Sequence, residues 1–154
     1  MPKTITLGTA TAQPGTIQYG RWEALNHPTG HVEFLPVIIA QGAADGPCLW
    51  LTAGIHGVEH AGPLVIYRLV TQELVDHLRG TIVAIPALNP AGLRTMKREP
   101  YHADKDPNRM WPDGKPKKPY DLDKEPPSSL EKAYERLFET MAATANYLID
   151  YHNA

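Results

Sequence analysis

His56 and Glu59 stand three residues apart in GIHGVE, Gly54 to Glu59, between an apolar run and a segment of helical period. An imidazole and a carboxylate at that spacing can converge on one cation when the backbone turns between them, and Gly57 gives the turn freedom for close approach. They make half a site. A catalytic zinc needs a third protein ligand and an open position for water. The helical H-E-x-x-H pattern is not met, because His60 directly follows Glu59 and points elsewhere. A second strand-end histidine, His152, closes YLIDYH (Tyr147 to His152). If the two strands are sheet neighbours, His56, Glu59 and His152 complete a three-ligand set. Taken alone, H-x-x-E is more commonly a polar turn and His152 a polar strand end.

The elements that must position these residues alternate between strand and helix periods, the pattern of an α/β layer structure. Thr4 to Gly8, His31 to Gly42 and Pro47 to Gly54 read as strands, the last apolar enough to be covered on both faces. A helix is expected from Pro63, with Leu64, Tyr67, Leu74, Val75 and Leu78 on its apolar side and its end at Gly80. Thr81 to Pro90 is then a strand, so strand, helix and strand form a βαβ crossover, most simply between a parallel pair. Ser128 to Glu131 is a capping box, and Leu130, Tyr134, Leu137, Phe138, Met141 and Ala145 form the stripe of the helix that follows. Asn146 to Ala154 is a last strand. In such sheets ligands bind beyond the carboxyl ends of the strands, where His56 and His152 both fall.

Length and composition narrow the class. A chain of 154 residues fits one domain, residues 1–154, able to bury roughly two thirds of its unfolded surface. One cysteine, Cys48, excludes an internal disulfide and a Cys-based zinc site, and a reducing, cytoplasmic location is expected. No stretch approaches the roughly 20 apolar residues of a membrane span. Fifteen basic against seventeen acidic residues, with Lys115 to Lys118 as the only basic cluster, argue against a nucleic-acid surface. Nine of fifteen prolines lie between Pro86 and Pro127, and Arg98 to Pro127 shows no period. A loop that long in a compact domain is expected to be functional or disordered.

Four motifs in order, GIHGVE, NPAG (Asn89 to Gly92), DPNRMWP (Asp106 to Pro112) and DYHN (Asp150 to Asn153), resemble those of zinc-dependent carboxypeptidases. They are most similar to the succinylglutamate desuccinylase/aspartoacylase branch, over about Leu49 to the last residue. The resemblance implies a three-layer α/β fold, a largely parallel mixed sheet with helices on both faces. It implies one zinc per chain, held by His56, Glu59 and His152. Asn108 and Arg109 match the pair that grips a substrate carboxylate, a task that suits the planar guanidinium fork. Arg98 matches the arginine that polarises the scissile carbonyl, with Arg94 the alternative. Asp106 matches the carboxylate that orients His56 through its other ring nitrogen; the bland reading of Asp106 is an Asp-Pro turn. Trp111 is expected to anchor the proline-rich loop to the core. His27, His31, His77 and His102 receive no assignment.

The function implied is hydrolysis of an amide bond in a small carboxylate-bearing substrate, of the N-acyl amino acid deacylase type. The alternatives are a carboxypeptidase trimming C-terminal residues, and a zinc-binding inactive module or half-domain. The family's general-base glutamate follows the third ligand, and neither Glu125 nor Glu139 stands in its context, so the chain is expected to be the N-terminal part of a longer enzyme. An uncovered terminal strand is then expected to favour association into a homo-oligomer, or to be covered by a missing C-terminal segment.

Overall fold

The computed structural model describes residues 4–112 and 126–153. The Lys115 to Lys118 cluster, Glu125 and the middle of the proline-rich segment lie outside the described residues. Two short strands, β1 (Thr6–Leu7) and β2 (Ala10–Thr11), pair antiparallel in a small sheet of their own. The main sheet has five strands in the order β3-β4-β6-β5-β7, from β3 (Thr16–Asn26), β4 (Val32–Gln41), β5 (Ala44–Ala53), β6 (Arg79–Ile85) and β7 (Tyr147–Tyr151). β5 runs parallel to both its neighbours, while β4 is antiparallel to β3 and β6. The parallel character is thus concentrated in β6-β5-β7, the part that carries the candidate ligands.

The period-2 alternation of β4, β5 and β6 divides the core in two. Val37, Ile39, Trp50, Val83 and Ile85 face helix α4 (Ser129–Thr144), which sends Leu130, Tyr134 and Leu137 against them. Ile38, Ala40, Leu51, Ala53 and Ala84 face α1 (Ala61–Leu69) and α2 (Gln72–His77), which supply Ile66 and Val75. Helices therefore cover both faces, as the three-layer expectation requires. Each fully buried aliphatic side chain contributes on the order of 2 kcal/mol, so the paired layers hold the strand ends at fixed separations.

Four local expectations change. The helix expected from Pro63 to Gly80 is two helices, because Val70 leaves helical geometry and the Thr71 side chain caps α2 by accepting from Leu74 N–H. Leu64 and Tyr67, expected on the apolar side, are exposed, and Ile66 takes the buried position. The strand expected over Thr81 to Pro90 stops at Ile85, because Asn89 caps a short helix, α3 (Pro90–Thr95), with Pro90 in its first turn. β3 was not expected, its pattern being broken by Gly20 and by a bulge between Glu23 and Leu25. The capping box at Ser128 is present as read, with both reciprocal bonds, although Phe138 is left partly exposed.

Among its described residues the long loop after α3 contains one 3-10 turn, Pro107–Arg109, and is anchored by Met110 and Trp111. Trp111 stacks on Tyr134 at 4.7 Å, and the Tyr134 hydroxyl donates to the Leu88 carbonyl at 3.1 Å. β7 is an edge strand with Tyr147, Leu148 and Ile149 exposed. Among the described residues no helix is long and apolar enough to cross a membrane.

Candidate metal centre

Adjacent parallel strands bring the two histidine-bearing ends together: Ala53 of β5 lies opposite Tyr151 of β7. Beyond Ala53 the chain turns sharply at Gly54, whose φ of +63° belongs to the left-handed region. The turn is braced by Leu88 N–H donating to Ala53 O and Asn89 N–H donating to Gly54 O, both at 2.9 Å. At Gly57 the loop presses on the backbone of α3 so closely that a Cβ there would lie 2.0 Å from Gly92 C and 2.2 Å from Lys97 O. Asn89, buried, ties the neighbourhood together by accepting from Gly92 N–H and donating to the carbonyls of Ile55 and Arg98. After β7, the Asn153 side chain accepts from Ala61 N–H at 3.2 Å and fixes the exit of His152 against the start of α1.

The three ligand atoms converge within 4.8 Å of one another. His56 Nδ1 lies 2.8 Å from Glu59 Oε1, and His152 Nδ1 lies 2.9 Å from Glu59 Oε2, so one carboxylate sits between two imidazoles. Each histidine is met on its outer side as well. His56 Nε2 faces Asp106 Oδ1 at 3.1 Å, and His152 Nε2 faces Asp150 Oδ2 at 2.8 Å. Those two carboxylates are themselves held. Arg98 Nη2 donates to Asp106 Oδ2 at 2.9 Å, Asn108 N–H donates to Asp106 Oδ1 at 2.8 Å, and the Thr52 hydroxyl donates to Asp150 Oδ1 at 2.8 Å.

A neutral imidazole has a single N–H, yet both rings face carboxylate oxygen at both nitrogens. With the outer N–H donating to Asp106 or Asp150, each inner Nδ1 presents a lone pair toward Glu59. A metal ion among the three inner atoms resolves that clash, as a proton on each ring does in its absence, and carboxylates orienting the outer N–H groups are the usual support of metal-bound histidines. The donor set, two nitrogens and one oxygen, matches the ligands zinc takes. Charge follows the same pattern. Burial works to raise the Glu59 pKa, but the hydrogen bond and charge of His56, with help from His152, outweigh it and hold the carboxyl below its ordinary range. Burial likewise opposes ionisation of Asp106, yet Arg98, Asn108 N–H and His56 bring its pKa down to about 2. Burial alone would lower the His152 pKa; Asp150 and Glu59 raise it instead.

The cluster opens on a cleft of about 630 Å³ lined by Val58, Glu59, Arg98, His152 and Asn153. Arg98 thus reaches the mouth of the site, whereas Arg94 turns away toward Glu33, at 3.7 Å. Asn108 lines a neighbouring cavity of about 190 Å³ beside Asp150 and Trp111. Arg109 is exposed, donates to the Asn108 carbonyl at 3.2 Å and does not line the cleft. Sequence reasoning missed Asp150, Thr52 and Asn89. The signal for Asp150 was its place two residues before His152, the spacing that puts side chains of an extended segment on the same face.

The model of the succinylglutamate desuccinylase/aspartoacylase catalytic domain matches residues 45–154. Among curated proteins there is no match. A succinylglutamate desuccinylase/aspartoacylase from Rhodobacter sphaeroides superposes with a TM-score of 0.70 at 22% identity, over 90% of this chain and 40% of that one. An aspartoacylase family protein from Mesorhizobium loti gives 0.66 at 24%, over 91% and 41%. The ectoine utilization protein EutE (DoeB) from Ruegeria pomeroyi, solved with product bound, gives 0.69 at 20%, over 89% and 39%. The shared fold is the zinc carboxypeptidase-like α/β fold, and this chain spans about 40% of the length of these structures.

Proposed function

The chain belongs to the succinylglutamate desuccinylase/aspartoacylase family, and from that premise we propose that it carries the zinc site of an amide hydrolase acting on a small carboxylate-bearing substrate. The observation that supports this most directly is the pair of imidazoles, each with one nitrogen toward Glu59 and the other on a carboxylate. His56 Nδ1, Glu59 and His152 Nδ1 would hold the ion. Bound there, zinc supplies Lewis acidity, which polarises a carbonyl and brings the pKa of water near neutrality.

The protein's own residues prepare the site for that chemistry. Asp106 and Asp150 face the outer ring nitrogen of each imidazole and so turn the inner nitrogens toward the shared point beside Glu59. Arg98, anchored on Asp106 and exposed to the cleft, places a permanent positive charge where an amide oxygen would gain negative charge. Arg109 and Asn108 are assigned to the substrate carboxylate on their motif. Arg109, exposed and bonded only to a neighbouring carbonyl among its described contacts, has the freedom to turn toward it. The general base is assigned to none of the described residues, since Glu59 is shared by both imidazoles and Asp106 and Asp150 are each engaged by a ring nitrogen and a second donor.

The test is metal counting on the purified, metal-free chain after zinc loading, beside turnover of N-acyl amino acids. His56→Gln with His152→Gln should remove one zinc equivalent; an unchanged zinc content would refute the assignment. Zinc bound without turnover would favour the inactive-module reading.

A further inference from the structure

A second group of two histidines and a glutamate lies apart from the cleft. We propose that His27 Nε2, Glu33 Oε2 and His102 Nε2 form a further site for a divalent transition-metal ion of the zinc class. Glu33 points from β4, His27 stands in the tight turn joining β3 to β4, and His102 comes from the long loop after α3. The three ligand atoms lie within 4.8 Å of one another, with Oε2 of Glu33 at 3.8 Å from His27 Nε2 and 3.6 Å from His102 Nε2. In a tetrahedral zinc site with bonds of about 2.0–2.1 Å the ligand atoms stand roughly 3.3 Å apart, so the carboxylate lies within about half an ångström of that spacing from each imidazole.

All three atoms are buried without a hydrogen-bond partner, and they account for three of the five such side-chain atoms among the described residues. Each polar atom left so has lost its hydration without a replacement bond; three aimed at a common point mark a place built for something to sit between them. Glu33 is the decisive one: its side chain is 5% exposed, and Oε2 meets no donor at hydrogen-bond distance. A plain ion pair accounts for the group less well. An imidazolium would bring its N–H within about 3 Å of the carboxylate, and the Arg94 guanidinium, largely exposed, also stops at 3.7 Å. Entry is provided by a cavity of about 360 Å³ on which His27, His102, Ser128 and Ser129 open.

The position suggests what the ion does. His102 lies between Arg98 and Asp106 on the loop that braces His56. An ion bound here staples that loop to the β3–β4 hairpin, so this site is structural and needs no bound water for chemistry.

Zinc titration of the metal-free chain, with metal counted after gel filtration, tests this separately from the cleft. Wild type should bind two equivalents, and His27→Gln with His102→Gln one. His56→Gln with His152→Gln should also keep one equivalent, with its Tm rising by about 5–10 °C at a hundredfold excess of zinc over Kd. Adding His102→Gln to that variant should weaken the remaining site by more than about a hundredfold, since even outer partners of metal ligands are worth about 10–100-fold. If the His56/His152 variant binds no zinc and shows no Tm rise, or if its binding survives His102→Gln, the site does not exist. These readouts decide the matter even if the His27/His102 variant does not fold.

Discussion

The two His-Glu-His clusters use the same three residue types and differ in how they are supported. At His56, Glu59 and His152, both nitrogens of each ring and both carboxylate oxygens meet a partner within 3.1 Å. At His27, Glu33 and His102 the nearest approaches are 3.6 and 3.8 Å, and the facing atoms are orphaned. The first network retains hydrogen bonds of its own when metal is absent; the second has little to fall back on. Geometry for a metal and satisfaction without one are therefore separable properties, and zinc removal should lower stability chiefly through the second cluster.

The largest effect expected is from Gly57→Ala. Its Cβ would overlap backbone atoms of Gly92 and Lys97, and backbone cannot yield as a flexible side chain does. A loss of about 3 kcal/mol or more is expected, with displacement of His56. Urea melts should record the loss, and zinc counting should show the cleft equivalent gone and the His27/Glu33/His102 equivalent kept. Loss of both would mean that the clusters are not independent.

Glu59→Gln and Glu33→Gln sharpen the contrast in the metal-free chain. Replacing Glu59 disturbs two short bonds to histidines, with an expected cost of about 1–3 kcal/mol. Replacing Glu33 removes a buried charge that has no hydrogen bond on Oε2, so stability should stay within about 1 kcal/mol of wild type or rise. Equal losses in thermal melts of the two variants would mean that the two clusters are equally satisfied without metal.

Much of the first cluster was legible because its ligands lie in short motifs at strand ends, where period and turn residues are informative. The crossover, the capping box at Ser128 and the α/β alternation follow from the same local signals, while the three layers came with the family resemblance. What escaped depended on contacts far apart in the chain. Asn89 reads as a strand stop, yet it caps α3 and bonds carbonyls at Ile55 and Arg98. Leu64 and Tyr67 have helical spacing but lie on the wrong side of a helix that ends at Leu69. His27 and His102 stand 75 positions apart in sequence, in loops without period, and only the β3–β4 hairpin and the folded loop bring them to Glu33.

Outer-partner variants come next in size. Asp106→Asn and Asp150→Asn should each weaken cleft zinc by about 10–100-fold, because an amide can present its NH₂ to the ring nitrogen and favour the wrong tautomer. Competition against a chromophoric chelator measures the shift. The affinity of the His27/Glu33/His102 site should not change, and an equal shift at both sites would show that the effect travels through the whole loop instead.

The smallest effect concerns the tie between that loop and α4. Lys105, between His102 and Asp106, donates to Glu131, which also closes the capping box with Ser128. Burial opposes ionisation of Glu131, but Lys105 and the Ser128 bonds outweigh it and set its pKa below the ordinary 4.5. Glu131→Gln keeps the box, since glutamine can serve at that position, and loses only the ion pair. A deficit of about 0.2–1 kcal/mol is expected near neutral pH. A lowered carboxyl pKa adds stability that is present in full above about 4.5 and is lost as pH falls through the folded value. The Tm gap between wild type and variant should hold from about pH 7 to 5 and close below about 4.5, as protonation makes the wild-type side chain neutral too. A gap that persists at about pH 3 would show that geometry at the helix start, not charge, sets it. Because Lys105 adjoins both clusters' loop residues, any effect of this variant on zinc should be small and alike at the two sites.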